Sequence, residues 1–140
     1  MAEIKYSLID HTADVGIQVY GADPKKLFSN AAYALFDLIT DLKSLKAAHT
    51  KKITITAEDW SDLMVNWLRE LLYFWAGRER LIQQAEIMTI SSRKLIASLH
   101  YDRYDPDRHI IKEEIKAVTY HQLEVKSKTS GWEARIIFDV

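Results

Sequence analysis

Apolar and polar residues alternate over two short stretches near the start of the chain: Ile4, Tyr6 and Leu8, then Val15, Ile17 and Val19. A period of two belongs to a half-buried strand, so strands are predicted at Ile4–Leu8 and Val15–Tyr20. The period then changes. Leu27, Ala31, Ala34, Leu35 and Leu38 recur at spacings of three and four, forming one stripe of a helix. Asp23 is suited to accept the first free backbone N–H groups, and Pro24 has no N–H to leave unpaired in the first turn. The helix should therefore begin at Pro24 and fade between Ile39 and Asp41. Lys52–Ala57 alternates as a β-branched strand. A second helix is predicted from Trp60 to Ala76, with Asp59 as N-cap, Asp62 in the first turn and Gly77 placed for a left-handed C-terminal cap. Its apolar set (Leu63, Trp67, Leu68, Leu71, Leu72 and Trp75, widened by Met64, Val65, Tyr73 and Phe74) covers a wide arc. Such an arc marks a two-sided core helix, with a partner surface as the alternative.

Alternation resumes at Leu81–Ile90, Leu95–Tyr101, Ile115–Val125 and Trp132–Val140, with turns at Ser91–Lys94 and Ser130–Gly131. The order β-β-α-β-α-β-β-β-β contains no repeating βαβ unit. It predicts an α+β fold: a mostly antiparallel sheet of about seven strands with two packed helices, in a single domain over residues 1–140.

Composition narrows the chemistry. The chain has 19 Lys plus Arg against 20 Asp plus Glu, a net charge of -1, so no global basic field exists and any RNA role must be local or indirect. The absence of cysteine excludes disulfides, thiolate zinc sites, iron–sulfur ligation and a Cys nucleophile, and is compatible with a reducing cytosol. No run approaches the roughly twenty apolar residues that span a bilayer, and the charged start is no secretory signal. A cytoplasmic protein without membrane attachment is expected.

Three constellations could carry chemistry. Asp10-His11-Thr12-Ala13-Asp14-Val15-Gly16 sets two carboxylates and an imidazole between two regular strands, able to coordinate a cation, to move a proton, or to form an Asx turn around a satisfied histidine. Asp139 precedes Val140, whose terminal carboxylate would end an apolar strand. Trp132, Ala134, Ile136 and Phe138 share one face there, so Asp139 projects with Arg135 and Ile137 on the other, suited to a hard cation; a frayed, solvated terminus is the alternative. Along Ile115–Gln122, Ile115, Ala117, Thr119 and His121 should share one face, opposite Lys116, Val118, Tyr120 and Gln122. His121 is then a functional imidazole or a cross-strand hydrogen-bonding group, and Lys116 a phosphate contact or a solvated charge. His11, His49, His100, His109 and His121 form no helical metal pair, which discounts zinc. The sequence has no P-loop, no G-x-G-x-x-G and no nucleophile elbow.

Together, Asp10-His11-Thr12-Ala13-Asp14-Val15-Gly16, Leu27-Phe28-Ser29-Asn30-Ala31-Ala32 with Ala34-Leu35-Phe36-Asp37, Trp67-Leu68-Arg69-Glu70-Leu71-Leu72-Tyr73, Lys116-Ala117-Val118-Thr119-Tyr120-His121 and Phe138-Asp139-Val140 resemble the archease family over Tyr6 to Val140. The resemblance implies a non-catalytic accessory factor that promotes guanylylation and multiple turnover of the GTP-dependent RNA ligase of tRNA splicing and RNA repair. RNA would then be met only through that ligase. It also implies a calcium-binding site carried by Asp14, Asp139 and Val140, with Asp10, His11, Lys116 and His121 as supporting or partner-contact residues. The donor chemistry agrees, since hard carboxylate oxygens suit calcium, magnesium or manganese better than zinc. One departure is Tyr101-Asp102 where relatives often show Gly-Glu, so loop shape or a partner contact is expected to differ there. Two other readings are a metal-dependent phosphoester hydrolase with His11 or His121 as base, and a chaperone-like modulator of RNA-modifying enzymes docking through the Trp60, Trp67 and Trp75 helix. Trp and Tyr on several strands permit a homo-oligomer without requiring one.

Overall fold

Both helices start at the predicted caps in the computed structural model, which describes residues 4–9 and 14–140. Helix α1 spans Pro24–Ile39, and Asp23 Oδ1 accepts the Lys26 N–H at 2.8 Å. Helix α2 spans Trp60–Ala76; Asp59 Oδ1 accepts the Asp62 N–H at 2.8 Å, and Asp62 Oδ2 accepts the Glu58 N–H at 2.9 Å. The two Asp caps satisfy first-turn donors that have no partner inside a helix, and the Asp62 bond ties the residue before the cap to the first turn.

The end of α2 departs from expectation. Gly77 is not left-handed but right-handed, at φ −95° and ψ −27°, and the Gly77 N–H still reaches the Tyr73 carbonyl. The left-handed residue is Glu79, φ +53°, whose N–H bonds to the Trp75 carbonyl at 2.8 Å. That single bond back to the last turn is the αL termination, reached two residues later than the glycine suggested. Gly77 answers a steric demand instead, because a Cβ there would stand 2.6 Å from the Tyr73 ring.

Seven strands follow the predicted order: β1 (Tyr6–Ile9), β2 (Val15–Gly21), β3 (His49–Thr56), β4 (Arg80–Ser91), β5 (Lys94–Arg103), β6 (Ala117–Lys128) and β7 (Gly131–Asp139). They form two antiparallel sheets, β1-β2-β7-β6 and β3-β5-β4, so the α+β class is as expected but the strands divide between two sheets. Helix α1 packs on β2 and β4, and α2 on β3, β4 and β6. The fully buried Trp67 joins the helices, its indole N–H donating to the Phe28 carbonyl at 2.9 Å. Among the described residues no helix is long and apolar enough to cross a membrane.

The expected faces of β6 hold at its start, where Val118 is buried opposite Phe138 and Ala117 and Thr119 face the other way, opposite Asp139 and Ile137, but Ile115 lies before the strand. Regular pairing then fails. Thr119 and Glu124 are five residues apart while their partners Ile137 and Arg135 are two apart, and Gln122 turns to φ +52°. This bulge destroys the alternation on which His121 had been placed with Ile115.

Candidate functional site

In an antiparallel pair, directly opposed residues share a face. Val15 with Phe138, Ile17 with Ile136 and Val19 with Ala134 point into the core; Gly16 with Ile137 and Gln18 with Arg135 point away from it. One step beyond the Val15–Phe138 pair, that register sets Asp14 opposite Asp139, on the face turned away from the core. On its other side Asp139 is paired with Ala117. Asp14 and Asp139 thus form an acidic row across the ends of β2 and β7, beside the start of β6.

Two features hold the row in place. The Lys116 N–H donates to the Asp139 carbonyl at 2.7 Å, which ties the end of β7 to the chain entering β6. Beneath the row, Thr119 Oγ1 donates to the Ile137 carbonyl at 2.9 Å, and Gly16 leaves room for Ile9 against the fully buried Ile137. A Cβ on Gly16 would stand 2.7 Å from Ile9 Cγ1 and 3.1 Å from Ile137 Cδ1. Asp139 is exposed, whereas the Val140 side chain packs against the core.

Asp14, Asp139, Val140 and the main chain of Lys116 thus meet at one sheet end. His121 sits farther along β6 inside the bulge, exposed, with its N–H on Thr119 Oγ1 at 3.3 Å. Asp10 and His11 lie outside the described residues. Among the described residues, no group of three or more His, Cys, Asp or Glu side chains is placed to hold a metal. Asp14 and Asp139 supply carboxylate oxygens, hard donors of the kind a divalent cation takes.

A second cluster escaped the sequence reading. At the end of β5, the buried Asp102 accepts from the Lys46 N–H at 2.9 Å and from Arg108 at 3.2 and 3.3 Å, and lies 3.1 Å from His109 Nε2. Burial alone would raise the Asp102 carboxyl, but these donors outweigh it and hold the group at about 2. The alternating acids and bases of Asp102–His109 were the available signal. Of the indoles of α2, Trp67 is fully buried, whereas Trp60 and Trp75 are half-buried and pack edge-on to Trp132 and Tyr104.

Comparison with known proteins adds four findings. Residues 6–140 match the Archease protein family (MTH1598/TM1083). The protein archease of Methanosarcina acetivorans is 37% identical over 144 residues, covering 97% of this chain and 96% of the relative. The solution structure of protein 1598 of Methanobacterium thermoautotrophicum superposes with a TM-score of 0.82 at 30% identity, covering 97% and 99% of the two chains. The crystal structure of an archease, possible chaperone, from Thermotoga maritima gives a TM-score of 0.67 at 18% identity over 100% and 98%, a likeness of fold.

Proposed function

The chain belongs to the archease family, and we propose that it is a non-catalytic accessory factor that activates the GTP-dependent RNA ligase of tRNA splicing and RNA repair by promoting its guanylylation and turnover. The observation that carries this reading is the acidic row, where the register sets Asp14 opposite Asp139. Asp14, Asp139 and the terminal carboxylate of Val140 would hold calcium, or magnesium or manganese in its place. Such a cation supplies concentrated positive charge for phosphate oxygens.

The protein's own residues present the row rigidly. A strand end frays unless it is tied down; the Lys116 N–H on the Asp139 carbonyl and the Ile9–Ile137 contact over Gly16 tie this one. Its face turns away from the core, so a partner protein can approach it without any rearrangement of the helices. The modulator reading keeps the half-buried Trp60 and Trp75 of α2, while Trp67 is taken up by the core.

The test mixes a GTP-dependent RNA ligase with labelled GTP and follows covalent guanylylated ligase over time. Acceleration by the wild type, lost in Asp139→Ala with the fold retained by circular dichroism, is expected. No acceleration by the folded wild type would overturn the reading.

A further inference from the structure

Arg93 pairs with Glu58, Arg108 with Asp102 and Asp105, Lys126 with Glu124, and Lys128 with Glu133. Beside the C-terminal end of α2 a group of cations lies against aromatic rings instead. The Arg80 guanidinium lies 5.5 Å from the Phe74 ring centre and 5.2 Å from that of Tyr101, Lys51 Nζ lies 6.0 Å from Phe74, and the Arg78 guanidinium lies 5.7 Å from Tyr73. In the β4–β5 ladder Arg80 stands directly opposite Arg103. Like charges facing across strands destabilise a sheet. Among the described residues, none of Lys51, Arg78, Arg80 and Arg103 forms an ion pair with a carboxylate.

The helix end does not account for four such charges. Its dipole amounts to about half a negative elementary charge and fades within the last turn. The rings account for position, not for neutrality: Phe74 and Tyr101 are buried and fix where Arg80 and Lys51 stand. The result is a set of cations pre-positioned by packing, with their charge left for something else to meet. Next to them Tyr73 is 53% exposed, with Arg78 over its ring and Gly77 making room on one side.

We propose that Lys51, Arg78, Arg80, Arg103 and Tyr73 form a binding site for single-stranded nucleic acid, with the cations on consecutive phosphates and a base stacked on Tyr73. Fixed cations interleaved with an exposed ring suit a chain that alternates phosphate and planar base; an acidic polypeptide would use the charges and leave the ring idle. The patch gives the near-neutral chain the local basic surface that its net charge of -1 conceals. The proposal is independent of the ligase reading, and its test contains no ligase.

The probe is a fluorescein-labelled single-stranded oligouridine of about twelve nucleotides, followed by anisotropy at several salt concentrations. Four phosphate contacts predict a slope of about −3 for log K against log salt. Replacing Lys51, Arg78 and Arg103 together by Gln, with Arg80 left on its rings, should bring the slope to about −1 and weaken low-salt binding roughly tenfold or more. Tyr73→Ala should weaken binding and leave the slope unchanged. The control Lys25→Gln/Lys26→Gln/Lys43→Gln removes the same charge elsewhere and should bind as wild type. No binding by the wild type at low salt, equal loss in the control, or competition by polyglutamate as effective as that by unlabelled RNA would each overturn the proposal, the last in favour of an acidic protein partner.

Discussion

His109 lies fully between two fixed partners: its Nδ1 accepts the Asp105 backbone N–H at 2.9 Å, which leaves Nε2 to donate to Asp102 Oδ2 at 3.1 Å. The tautomer follows from the backbone donor, because an N–H can be accepted only by an unprotonated nitrogen. The ring stacks on Tyr104, which in turn packs against Trp75. Asp102 thereby anchors the connection between β5 and β6 to the last turn of α2.

Acid should loosen this anchor. Burial pushes the Asp102 carboxyl up, and the Arg108, Lys46 and His109 donors more than reverse this, taking it from the usual 3.8 to about 2. A carboxyl depressed on folding contributes stability above its unfolded value and loses it as pH falls through its folded value. Asp102→Asn is expected to cost about 2 kcal/mol near neutrality, for loss of hydrogen bonds to a charged group. Urea unfolding of both proteins from neutral pH downward should show that difference constant above about pH 5 and shrinking between about pH 4 and 2. A difference independent of pH would contradict the assignment.

The helices were legible because their signals are local: Asp23, Pro24 and Asp59 act on backbone groups within three residues, and spacing alone sets Leu63, Trp67 and Leu71 on one face. The division into two sheets was not. It depends on Gly21 and Trp132 pairing across most of the chain, which no local pattern encodes. The same limit applies to the site. Asp139 was placed away from the core by alternation along β7, but its being opposite Asp14 is a property of long-range register. His121 was misplaced because alternation assumes an unbroken strand, and the bulge after Thr119 breaks it. Arg80 and Arg103 read as unremarkable charges until the β4–β5 ladder sets them face to face.

Two glycines should differ sharply in what they tolerate. A Cβ on Gly21 would stand 2.4 Å from the Leu27 backbone nitrogen and 2.7 Å from its Cα, in a helix whose own position is fixed by the core. On Gly16 the nearest atoms belong to the Ile9 and Ile137 side chains, which can shift. Gly21→Ala is expected to lose about 3 kcal/mol and Gly16→Ala about 1 kcal/mol in denaturant unfolding, within the range for overpacking. The reverse order would mean that Gly16 supports the acidic row more stiffly than its contacts show.

Glu79 is the left-handed residue after α2, a conformation that costs a residue with a Cβ roughly 1 kcal/mol relative to glycine. Glu79→Gly should therefore raise stability by up to about 1 kcal/mol, less the greater backbone entropy glycine loses on folding. Gly77→Ala should do the opposite, since its added Cβ meets the Tyr73 ring at 2.6 Å although its backbone is ordinary. Thermal unfolding of the two variants separates these causes. A rise in Gly77→Ala, the usual result in a right-handed helical position, would show that the Tyr73 ring swings away freely.

The acidic row should respond to a cation in the stability of the protein itself. A ligand that binds only the folded chain stabilises it by RT ln(1 + [L]/Kd), about 2.7 kcal/mol at a hundredfold excess over Kd. Calcium is therefore expected to raise the melting temperature of the wild type. The register places Asp14 and Asp139 on either side of the same pairing, so Asp14→Asn and Asp139→Asn should each abolish most of the shift. Extending the chain by two glycines beyond Val140 leaves both side chains in place and moves the terminal carboxylate away. If that carboxylate is a ligand, the extension reduces the calcium shift while the metal-free melting temperature stays the same; an unchanged shift would assign the cation to the two aspartates alone.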